Sequence, residues 1–96
     1  MGTSQRTLQE TVTPLSGAEV LSLAKTFFTT RSSIYSAFLD QEGPNHCTFR
    51  GQGSEEIVIA VTPAPDGNGT RVTGSTYLFD MQVARFFATL PPVVVA

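Results

Sequence analysis

The second half of the chain is cut by glycine-rich punctuation into segments too short and too β-branched for helices. Gly43-Pro44 ends the run that begins "SIYSAFLD", Gly51-Gln52-Gly53 separates "HCTFR" from "EEIVIAVT", and "PAPDGNG" leads into "TRVTGSTYLF". Asp66-Gly67 and Asn68-Gly69 tolerate the positive φ angles that a tight hairpin turn requires. Segments rich in Val, Ile, Thr and aromatic residues, bounded in this way, read as strands. Connections this short make consecutive strands neighbours. A four-stranded antiparallel meander is therefore expected between residues 33 and 79.

Ahead of the meander, residues 5–12 alternate, with Leu8 and Val12 on one face and Thr7, Gln9 and Thr11 on the other, as in a first strand. "PLSGAEVLSLAKTFFTTR" then changes period. Ser16 followed three residues later by Glu19 forms a capping box, and Leu15 and Val20 sit where a hydrophobic staple closes around it. Val20, Leu21, Ala24, Phe27 and Phe28 fall on one side of a helix expected over residues 17–30. Near the end, Asp80 is placed to cap a second helix, "MQVARFFATL", whose Val83, Phe86, Phe87 and Leu90 line one side. Pro91-Pro92 stops it.

Two helices with apolar faces need one common place to bury them, the inner face of the sheet. The expected fold is a single α+β domain over residues 1–96: a curved antiparallel sheet with both helices on one face. Residues 1–4 and 91–96 are expected as flexible or extended ends, the valine tail being suited to pairing with a sheet edge.

Charged residues make up 15% of the chain, against about 25% in an average soluble domain. A small domain has a large surface to cover, so the low charge favours burying part of it against a copy or a partner. The net charge is −2, with one lysine and five scattered arginines. No basic run follows a phosphate backbone, which argues against nucleic acid as a partner. No apolar stretch approaches the roughly 20 residues of a membrane span. The first ten residues carry no signal-peptide core and the single cysteine allows no internal disulfide, so a cytoplasmic location is expected. Asn68-Gly69-Thr70 reads as a turn in that setting, not as a glycosylation acceptor.

The order strand, helix, four strands, helix, spanning residues 5–90, resembles the helix-grip and TATA-binding-protein-like architectures. The closing stretch "GTRVTGSTYLFDMQVARFFATLPP" also looks like the end of small uncharacterised bacterial proteins. Helix-grip relatives hold an apolar ligand between helix and sheet, and TATA-binding relatives apply the open sheet face to DNA. The resemblance therefore implies a ligand site on one side of the sheet or a contact surface on the other. Fold alone selects neither.

Chemistry is sparse. His46 and Cys47, the only residues of their kinds, are adjacent. In a strand neighbours point to opposite faces, so Cys47 goes with Phe49 and His46 with Arg50. That splits a nucleophilic pair, whose members must lie within hydrogen-bond reach. One Cys and one His also fall short of the four ligands of a structural zinc site. "GQGS" lacks the further glycines, or the Gly-Lys-Ser/Thr before a helix, that a phosphate cradle needs. Glu55 and Glu56 diverge if they start a strand, and Asp40 and Glu42 lie beside a turn. No catalytic residue, metal ligand or cofactor site is assigned.

What remains is a surface. Arg71, Thr73, Ser75 and Tyr77 share one face of their strand, and His46, Thr48 and Arg50 share one of theirs. Together they make a Thr-rich outer sheet face with two arginines. Gly74, inside its strand, marks a bend or a close approach. The paired aromatics Phe27-Phe28 and Phe86-Phe87 each offer one ring to the core and one to its boundary. The candidate interaction or ligand patch is His46, Arg50, Arg71, Tyr77, Phe28 and Phe87. The expected function is non-catalytic: self-association or binding of a protein partner, with carriage of a small apolar ligand between the first helix and the sheet as the alternative.

Overall fold

The computed structural model describes residues 7–31, 38–51, 56–65, 67–76 and 80–92. Its elements are β1 (Thr7–Thr13), α1 (Gly17–Thr26) continued by a π-helical turn (Phe27–Arg31), β2 (Phe38–Glu42), β3 (His46–Arg50), β4 (Glu56–Pro63), β5 (Thr70–Thr76) and α2 (Asp80–Thr89). The strands form one antiparallel sheet in the order β1-β5-β4-β3-β2. The last four strands follow one another as a meander, and β1 closes onto β5. The fold is α+β, as the sequence predicts. α1 lies over β4 and β3 and α2 over β1 and β5, both on the same face.

Local signals explain the helix start. Ser16 Oγ accepts from the Glu19 backbone N–H at 3.1 Å, and the Ser16 N–H donates to Glu19 Oε1 at 3.0 Å. The reciprocal bond holds the Glu19 carboxyl below the usual carboxylate range. At its far end α1 widens where a regular helix over residues 17–30 was expected. The π turn aims both Phe27 and Phe28 inward, with ring centroids 5.5 and 5.3 Å from Phe86 of α2. The Thr29 hydroxyl donates to the Lys25 carbonyl within this widened stretch.

The core lies between helices and sheet. Phe28, Phe49, Phe86, Ile57, Ile59, Val20, Val72 and Val83 are fully buried there. Thr13, Thr70 and Thr76 are buried on the same side, and each hydroxyl donates to a carbonyl: Pro91 at 2.8 Å, Leu15 at 2.6 Å and Glu56 at 2.7 Å. Buried polar groups are tolerated because they are paired.

Two boundaries differ from expectation. β2 does not stop at Asp40 but runs on through Gln41 and Glu42, with a bulge after Leu39 that restores pairing with Thr48 and Cys47. The Lys25 ammonium holds Glu42 from α1 at 2.6 Å. Asp80 stands inside α2 as its first residue, not ahead of it. The expected strand residues 33–37 and 77–79, and the tail 93–96, lie outside the described residues.

Candidate functional site

Strand pairing defines the sheet face turned away from the helices. Leu8, Ser75, Val58, Thr48 and Gln41 form one cross-strand row, and Glu10, Thr73, Ala60 and His46 form the next. Phe38, Arg50 and Glu56 make a third row at one end, and Val12, Arg71 and Thr62 a fourth at the other. Burial alternates accordingly: Ile57, Ile59 and Val61 point into the core, whereas Val58 and Ala60 are half-buried on the outer side. Among the described residues no helix covers this face.

Its centre consists of small uncharged side chains, and its charges stand toward the ends. Arg71 grips Glu10 with two parallel bonds, Nε to Oε2 at 2.7 Å and an Nη to Oε1 at 3.0 Å. That hydrogen bonding raises the guanidinium pKa further above its ordinary value. Arg50 donates from Nε to Asp40 at 3.0 Å and from an Nη to Glu56 at 3.3 Å. Both arginines of the expected patch are thus neutralised within the chain. The sequence suggests the arginines but not their partners, because cross-strand register alone brings Glu10 and Asp40 alongside them.

His46, Arg50 and Arg71 lie on this outer face, although β4 separates the first two from the third. The His46 ring packs on Gly43, where a β-carbon would collide with it. The turn at this point is closed by a bond from the Gly43 N–H to the His46 carbonyl at 2.9 Å. Tyr77 lies outside the described residues. Phe28 does not belong to a surface patch: it is fully buried, its ring 5.2 Å from Phe49 and 5.3 Å from Phe86. Phe87 is half-buried at the core boundary, on the helix-covered side, with its ring 6.2 Å from Phe86. The patch therefore divides, with the polar members on the open face and the phenylalanines on the covered one.

Cys47 is fully buried between β3 and α1 and separated from the His46 side of its strand. Burial pushes its thiol pKa up, the nearby Lys25 lowering it only in part. A reactive cysteine needs the opposite environment. Among the described residues no three of His, Cys, Asp and Glu are grouped so as to hold a metal ion.

Between α1 and the sheet the space is occupied by Val20, Ala24, Phe28, Cys47, Phe49 and Ile59, all fully buried. Two hollows are lined by described residues. One of about 270 Å³ lies beside Gly17, Asn45, Val61 and Gly69, and one of about 230 Å³ lies beside Leu23, Thr26, Phe27 and Thr89. Both are smaller than the roughly 300–1,000 Å³ of ligand pockets. No described helix is long and apolar enough to cross a membrane.

Comparison with protein-family models, with curated proteins and with solved structures found no match.

Proposed function

We propose that this domain acts without catalysis, by association through the open face of its sheet. The observation that carries the reading is the composition of that face. Val58, Ala60, Thr73 and Ser75, half-buried beside the buried Thr48, present a low-relief surface, and both arginines beside it are already paired with the chain's own carboxylates. A face built to attract an anionic polymer keeps its cations available for phosphates. A face built to meet protein can hold its charges satisfied at the rim and leave the centre free of them.

The filled space beneath α1 weighs against carriage of an apolar ligand there. The fully buried Cys47 and its raised thiol pKa weigh against thiol chemistry.

Light scattering across a concentration series, combined with pull-downs on immobilised protein, tests the reading. Association lost when Val58 is replaced by Arg, with the circular dichroism spectrum unchanged, is the expected result. A strict monomer at high micromolar concentration that captures nothing is the result against it.

A further inference from the structure

The geometry points to a second copy of this chain as the occupant of the open face, packed sheet to sheet about a two-fold axis that runs along β4. The inference rests on the association reading above and names its partner. β4 is the middle strand of five. An axis along it therefore lays β1 over β2 of the other copy, β5 over β3, and β4 over β4.

The placement of the exposed apolar residues fits that operation. On the outer face Leu8 of β1 is 69% exposed and Phe38 of β2 is 54% exposed. They stand on opposite edge strands, one cross-strand row apart. Within one chain four strand intervals of about 4.8 Å keep them roughly 19 Å apart. The two-fold axis brings Leu8 of each copy to Phe38 of the other, twice, because an isologous interface repeats every contact. Along the Leu8 row the central side chains are Ser75, Val58 and Thr48, all short, so the sheets can close there to the ordinary spacing of about 10 Å. An axis running across the strands would instead stack Leu8 on Leu8 and leave the two kinds of residue apart.

Charge and area agree with this occupant. The paired arginines leave no excess of one sign at the centre of the face to repel an identical surface. Strands at about 4.8 Å spacing and about 3.3 Å per residue give a face on the order of 500 Å² in projection. A standard interface buries about 800 Å² per partner, so the dimer belongs to the weaker, concentration-dependent class.

Cross-linking separates this arrangement from the others. Chains carrying Leu8→Cys, Phe38→Cys or both are treated with a short bis-maleimide at concentrations where light scattering reports dimers. The unsubstituted chain, with Cys47 buried, serves as the control. The expected result is covalent dimer in the double variant and in an equimolar mixture of the two single variants, with little in either single variant alone. Dimer formed by Leu8→Cys alone overturns the proposed axis in favour of β1 meeting β1. Scattering that reports dimers without cross-linking overturns the interface but leaves association standing. A monomer at every concentration overturns this inference, and association then rests on the pull-downs alone.

Discussion

Gly74 lies so close beneath α2 that a β-carbon there would come within 2.5 Å of Val83 Cγ1, and within 3.2 Å of the Phe87 ring. The missing side chain lets the helix settle directly on β5. Val83 is fully buried, so it cannot swing into solvent to make room. Gly74→Ala should therefore lower stability by about 1–3 kcal/mol, the usual cost of forcing a methyl group into a packed core. Urea unfolding measures this as a drop in midpoint. Gly74→Ala combined with Val83→Ala should recover part of the loss.

The capping box makes a separate prediction. Ser16→Ala removes the acceptor for the Glu19 N–H and should cost about 1 kcal/mol. Glu19 adds a pH dependence of known sign. Its folded pKa is depressed, chiefly by the bond from the Ser16 backbone N–H. Its contribution is therefore present above the unfolded carboxylate pKa and is lost as pH falls through the folded value. Glu19→Gln should flatten the stability profile on the acid side of the ordinary carboxylate range and leave its shape near neutrality unchanged. Denaturant midpoints taken across that window check the difference.

Much of the architecture is legible in the chain because it is encoded locally. Ser16 and Glu19 declare the helix start, and Asp66-Gly67-Asn68-Gly69 declares a hairpin, with Gly67 and Gly69 at positive φ. Alternation correctly separates Cys47 and Phe49 from His46 and Arg50. It shows that Leu8 and Val12 share a face but not that this face is the open one. Thr13, on the opposite face of β1, is buried, and its hydroxyl reaches Pro91 some 78 residues away. The π turn carries no sequence period of its own, since it arises from seating Phe27 and Phe28 together on Phe86. The pairing of Arg71 with Glu10, across 61 residues, is equally invisible before the register is known.

Cys47 should behave as a structural thiol. Its side chain is fully buried and its pKa is raised by that burial. Native protein should resist a thiol-specific chromogenic reagent at neutral pH and react with it promptly in denaturant. Cys47→Ser places a hydroxyl among apolar neighbours and should destabilise by about 1–3 kcal/mol. Native protein that labels as fast as a free thiol would contradict the assignment of this residue to the core.

Phe86 holds three parts of the fold together. Its ring lies 5.5 Å from Phe27 and 5.3 Å from Phe28, and Phe28 in turn lies 5.2 Å from Phe49 of β3. Phe86→Ala leaves a cavity where α1, α2 and the sheet meet and should cost about 3–5 kcal/mol. Phe87 makes the useful contrast, being half-buried at the boundary. Its truncation should cost distinctly less, and the order of the two midpoints in urea is the test. Small domains typically have about 5–15 kcal/mol of stability in total, so Phe86→Ala should remove a substantial share of it.

Thr13 ties the end of α2 to the end of β1. Its hydroxyl is fully buried and donates to the Pro91 carbonyl at 2.8 Å, just past the last turn of the helix. Thr13→Val keeps the shape of the side chain but removes the donor. The carbonyl then loses its partner in a partly buried setting, and a loss of about 1–3 kcal/mol is expected. Thr13→Ser keeps the donor and gives up only a methyl group, so it should fall between the wild type and Thr13→Val. If Thr13→Ser unfolds at a lower denaturant concentration than Thr13→Val, the methyl group and not the hydrogen bond is what mainly holds this end of the domain together.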